Sequence, residues 1–87
     1  MPNIKQQEKR VRSAARQRLE NLRYRSTVKT LTKRLEASVS SGETERAAAE
    51  HRELVHWIDR AAARGALHKN TAARRKARAA RLLSGSS

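Results

Sequence analysis

Along most of this chain the apolar side chains recur every three or four positions, the spacing of an α-helix. At 100° per residue Tyr24, Val28, Leu31, Leu35 and Val39 fall on one side of a long first helix. Val11, Ala15, Leu19 and Leu22 fall roughly opposite, so its apolar face changes side midway, and the C-terminal set is the better stripe. A second helix presents Ala47, His51, Leu54, Val55, Ile58, Ala61 and Ala62 on one face, with Glu50, Glu53, His56 and Asp59 away from its centre. A third offers Ala73, Ala77, Ala80 and Leu83, mostly small side chains that permit close approach.

The punctuation fits these periods. The only proline is Pro2, and Gly42 and Gly65 stand where a helix would end on a left-handed C′ residue. Ser41 or Thr44 suits the N-cap of the second helix, and Asn70 or Thr71 that of the third. The pattern predicts an all-α, three-helix bundle forming one domain over residues 1–87, with helices near 5–40, 44–64 and 70–83. The first would span roughly 54 Å at about 1.5 Å per residue. The short connection at Gly42 folds the second helix antiparallel onto the C-terminal half of the first, joining Leu54, Val55 and Ile58 to Val28, Leu31 and Leu35.

Composition limits the core. Of 32 hydrophobic residues 15 are alanine, so 87 residues cannot bury much. With no cysteine there is neither a disulfide framework nor a thiolate metal site. No run of roughly 18 to 20 apolar residues offers a membrane span, and "MPNIKQQEKRVR" has no apolar signal-peptide region, so a cytosolic location is expected.

Charge changes the picture most. The net charge is +13, distributed as +9 over residues 1–35, −3 over 36–63 and +7 over 64–87. Such a field repels itself in a compact monomer, and a polyanionic partner relieves it. Two basic ends around a mildly acidic middle imply that the ends face the partner and the middle braces them. The last segment, "RGALHKNTAARRKARAARLLSGSS", is rich in Ala, Arg and Lys, which favours a helix over a disordered basic arm.

The basic residues are also in register. Lys5, Lys9, Arg12, Arg16 and Arg23 share one side of the first helix, and Arg25, Lys29 and Lys33 make a second band opposite the stripe from Tyr24 to Val39. On the third helix Arg74, Arg75, Arg78 and Arg81 point away from Ala73, Ala77 and Ala80. Arginine binds phosphate through two parallel hydrogen bonds, which favours nucleic acid as the partner. The only aromatic residues are Tyr24 and Trp57, read as packing residues, so no platform for stacking single-stranded bases is expected and the target is folded nucleic acid.

Catalysis finds no support. His51 and His56 in "HRELVH" lie five apart, about 140° around a helix, unlike the four-residue spacing of a zinc pair. No Gly-rich phosphate loop, serine elbow or isolated carboxylate pair is visible, so neither metal, cofactor nor small-molecule substrate is expected. His68, beside Lys69 and Asn70, suits phosphate contact or helix capping. A histone-like nucleic-acid condenser would also fit the charge. A membrane-active amphipathic helix fits less well, because the basic third helix mainly offers alanine.

Three stretches carry a family likeness: "MPNIKQQEKRVR", "NLRYRSTVKTLTKRL" and above all "RGALHKNTAARRKAR". Through them the chain resembles the bacterial small-subunit ribosomal protein twenty family along essentially its whole length. The resemblance implies a three-helix, non-catalytic protein of the cytoplasmic ribosome that binds small-subunit (16S) ribosomal RNA directly and supports its folding and assembly. It implies contacts in two RNA regions, the first domain and the 3′ minor domain, beside other small-subunit components. Carried over by position, the RNA-facing residues are Asn3, Lys5, Lys9, Arg10, Arg18, Asn21, Arg25, Ser26, Lys29, Thr30 and Lys33, then His68, Lys69, Asn70, Arg74, Arg75, Lys76 and Arg78. Glu20 and the stretch "SAARQ" depart from the family's more basic pattern.

Overall fold

A computed structural model describes residues 4–85, with side chains described from residue 7. Three helices follow one another: α1 (Ile4–Ser40), α2 (Thr44–Ala63) and α3 (Lys69–Leu83). Between Ile4 and Ser40 there is no glycine or proline, and the hydroxyls of Thr27 and Thr32 donate to the carbonyls of Arg23 and Val28, each at 2.8 Å. Nothing therefore interrupts α1, whose 37 residues dominate a molecule extending 61 × 20 × 16 Å.

The core occupies one end of that rod. Val28, Leu31 and Leu35 from α1 meet Ala47, Leu54, Ile58 and Ala61 from α2, and Leu67, Ala72 and Ala79 close it. Leu35, Leu54, Ile58 and Val28 are the largest fully buried side chains. The pairs Ser38 with Glu50 and Tyr24 with Trp57 show α1 and α2 running antiparallel, as the short connection predicts. Every described side chain from Gln7 to Glu20 is exposed. The N-terminal half of α1 thus projects alone, held by helix propensity and an exposed Glu8–Arg12 pair at 4.0 Å that adds little. Val11 and Leu19, on the weaker stripe, meet no core.

Both interhelical turns are Schellman motifs. Glu43 N–H donates to Ser38 O at 3.0 Å and Gly42 N–H to Val39 O at 3.2 Å. Ala66 N–H donates to Ala61 O at 2.8 Å and Gly65 N–H to Ala62 O at 3.1 Å. Gly65 has φ +78° with nothing within 4 Å of where a Cβ would stand, so only backbone strain opposes a side chain there. We expect Gly65→Ala to lower the unfolding free energy by about 1 kcal/mol in urea denaturation. A cost near zero would mean that the turn is not left-handed in solution.

The caps and the third helix depart from the sequence reading. Neither Ser41 nor Thr44 caps α2; the N-cap is Glu43, without a side-chain hydrogen bond. The Ser41 hydroxyl instead donates back to Ala37 O and Ser38 O, and that of Thr44 points to Gly42 O, because the tight turn leaves carbonyls rather than amides nearby. For α3 the cap is His68, for which capping was one of the two expected roles, rather than Asn70 or Thr71: its Nδ1 accepts from Asn70 N–H at 3.1 Å. The buried side of α3 is Ala72 and Ala79, with Leu82 and Leu83 partly buried, whereas Ala73, Ala77 and Ala80 are exposed. That is a rotation of one residue, and alanines on both sides made the two faces nearly equal in hydrophobicity. Glu50, assigned to the outer side of α2, is mostly covered, and it accepts the buried Ser38 hydroxyl at 2.7 Å.

The acidic middle holds the basic tail. Lys76 Nζ meets Asp59 at 2.9 Å and Arg78 meets Glu36 at 3.2 Å. Both pairs are about half-exposed, so each is worth at most about 1 kcal/mol. They fit a rotation of α3 in which Ala72 and Ala79 are buried and Arg74, Arg75 and Arg81 face solvent.

Candidate nucleic-acid interface

The core stripe of α1 leaves two flanks free. On the flank facing α3, Arg25, Ser26, Lys29 and Lys33 line a groove with Leu22, Thr32 and Glu36, and α3 supplies Arg75 and Arg78 on the other wall. Five cations stand there against a single carboxylate, which Arg78 already engages. The two walls come from segments at least 39 residues apart in the chain, and only the docking of α3 on α1 brings them together. The groove is open, of about 630 Å³, and lies beside the core stripe rather than diametrically opposite it. It continues over the outside of α3, where Thr71, Arg74, Arg75, Ala77, Arg78 and Arg81 form a second shallow surface.

The first band lies on another flank. Lys9 and Arg10 border a depression with Ser13, Ala14 and Gln17 on the projecting half of α1. Arg16 and Asn21 line the next, with Ser13, Gln17, Glu20, Tyr24 and Arg64, and Arg23 lines a third with Tyr24, Trp57 and Arg64. Arg12 is exposed within the same band and meets Glu8. Arg18 and Thr30 are exposed but line neither the α1/α3 groove nor these depressions. Asn3 lies outside the described residues, as does the side chain of Lys5.

At the start of α3, Lys69 and Asn70 are exposed beside the capping His68. The first turn of α3 holds no acidic side chain, so the positive end of the helix dipole is not neutralised within it. Because His68 accepts through Nδ1, its proton sits on Nε2, leaving a donor directed elsewhere. Lys76, one of the RNA-facing residues that the resemblance implies, is partly exposed and pairs with Asp59.

Sequence reasoning missed Arg64. It caps the C-terminus of α2, and two clefts against α1 include it. Its place four residues after Arg60 was the one available signal, but it belongs to no stripe on α3 and so was counted only within the basic tail. Thr32 also lines the groove, and its hydroxyl donates to the carbonyl of Val28 one turn earlier, which sets it among the core spacings of α1.

Cationic grooves along exposed helices, over a small core, define a small all-α protein with two basic flanks. Among the described residues no helix is long and apolar enough to cross a membrane. The chain belongs to the family described as Ribosomal protein S20, which matches residues 2–84. It is 45% identical over 78 residues to the small ribosomal subunit protein bS20 of Heliobacterium modesticaldum, covering 90% of this chain and 89% of that one. With the bS20 protein of Roseiflexus sp. it shares 47% over 81 residues, 93% and 88% of the two chains, and with that of Shouchella clausii 39% over 85 residues, 98% and 97%. The family resemblance drawn from the sequence is therefore correct. As a ribosomal protein the chain is structural and not an enzyme.

Proposed function

We propose that this protein is a structural component of the bacterial small ribosomal subunit, in the cytoplasm, that binds 16S ribosomal RNA directly and supports its folding and assembly. The observation that carries this reading is the α1/α3 groove, where Arg25, Lys29 and Lys33 face Arg75 and Arg78 across a channel open to solvent. Guanidinium groups on two walls suit the phosphates of a folded strand, which contact them without base recognition. The first band and Arg64 make a separate cationic flank, which suits a second region of the same RNA. The start of α3, with His68, Lys69 and Asn70, adds a helix terminus that favours a phosphate. Residues 1–87 act as one binding domain, beside other small-subunit components and with no cofactor or small-molecule substrate.

The projecting half of α1 gains no burial from the body, and the basic ends repel each other in the free protein. In this reading RNA completes the order of those ends, while the α1–α2 brace is already formed.

Competition tests it. The purified protein is bound to the folded small-subunit ribosomal RNA fragment of its own species against excess duplex DNA and unrelated RNA. A preference of at least about a hundredfold is expected for a specific RNA assembly protein. Equal affinity for every polyanion would leave a general nucleic-acid condenser.

A further inference from the structure

The two aromatic residues, 33 positions apart in the chain, meet in the fold: the rings of Tyr24 and Trp57 lie 5.7 Å apart at 53°. Neither ring is fully buried, although both pack against the core edge. Between α1 and α2 they open into a cleft of about 310 Å³ whose remaining walls are Glu20, Arg23, Thr27 and Arg64. That volume is at the small end of ligand pockets, too narrow for a duplex and sufficient for one planar group. Arg60 stands over the Trp57 ring at 5.9 Å and His56 meets it edge-on at 6.2 Å, so the indole already has the cation and aromatic neighbours of a stacking site.

We infer that this cleft takes a single unpaired nucleotide of the bound RNA, its base stacked on Trp57 with Tyr24 against its edge, and its flanking phosphates held by Arg23 and Arg64. The charge argues for this occupant. Two exposed arginines flank apolar rings, which suits a group with a flat π-face and an anionic backbone. Position argues for it too, because Tyr24 and Arg64 also line the adjoining depression with Arg16, so the cleft lies on the path of the first basic band. Glu20 faces the same space and is placed to accept from a base amino group. The inference rests on the RNA-binding reading and revises the expectation that the chain has no stacking platform: two isolated aromatics become one site only when α2 folds back onto α1.

Trp57 is the only tryptophan, so its emission reports the cleft directly. The full-length protein is titrated with an end-labelled small-subunit ribosomal RNA fragment containing unpaired nucleotides, and in parallel with fully paired duplex RNA of equal length. Anisotropy of the label measures binding, and Trp57 emission measures stacking. The expected result is loss of emission with the first RNA and little change with the duplex at equal occupancy. Trp57→Leu weakens binding of the first RNA by about tenfold and Trp57→Phe restores most of it. Emission unchanged at saturation, or equally lost with the duplex, overturns the inference even if RNA binding is selective. Anisotropy without any preference among polyanions overturns the RNA-binding reading instead, so the two failures are distinct.

Discussion

Exchanging Arg25, Lys29, Lys33 and Arg75 together for glutamine lowers affinity for the folded small-subunit ribosomal RNA fragment by about a thousandfold. The estimate takes about 1 kcal/mol for each lost phosphate contact and about 1.4 kcal/mol for each factor of ten. All four side chains are exposed, so the fold should survive, and Arg78 is left intact because it also holds Glu36. The salt dependence is the sharper readout. With about eight phosphates neutralised, log affinity should fall against log salt with a slope of roughly −6 to −7, and the variant's slope should be shallower by about 3. A variant that binds more weakly with an unchanged slope would show that the groove does not touch phosphate.

Leu35→Ala should lower the unfolding free energy by about 3 kcal/mol. Leu35 is 0% exposed and lies where α1 meets α2, so truncation removes burial and leaves a cavity. Small domains have on the order of 5 to 10 kcal/mol in total, so the loss takes a large share and should depress Tm by roughly 15 °C. Leu19→Ala, at a side chain 50% exposed on the projecting half, should change stability by less than about 0.5 kcal/mol. Urea unfolding followed by far-ultraviolet circular dichroism compares the two. Equal effects would mean that the N-terminal half of α1 is packed in solution and that the brace is not confined to its second half.

Periodicity made the fold readable where it was strong. The stripe Val28, Leu31 and Leu35 and its partners Leu54 and Ile58 are large apolar side chains spaced among charged and polar ones, and they form the core as the spacing predicts, whereas Val55, expected with them, is only partly buried and stands outside it. Gly42 and Gly65 end their helices because left-handed backbone is cheap only for glycine. The reading failed where side chains carry little information. On α3, alanine at 72, 73, 77, 79 and 80 offers two faces of similar size and polarity, and the choice fell to Ala72 and Ala79. Ion pairs to Asp59 and Glu36 fit that rotation. The caps differ for a related reason: Ser, Thr and Asn are good caps on average, but at Ser41 and Thr44 the turn presents carbonyls, and at α3 the ring of His68, two residues before Asn70, reaches the Asn70 amide.

Three helices, the brace of α2 against the second half of α1, the family and a polycation arranged in stripes are legible along the chain. These are local properties, because helical period, glycine backbone and charge register act over a few residues. It is the docking of the helices that puts Arg25, Lys29 and Lys33 in one groove with Arg75 and Arg78, Arg64 on the other flank, and Tyr24 against Trp57. Those juxtapositions depend on how far each helix is rotated about its axis when it docks. That angle follows from the packing of a few side chains from all three helices at once, which no window along the chain contains.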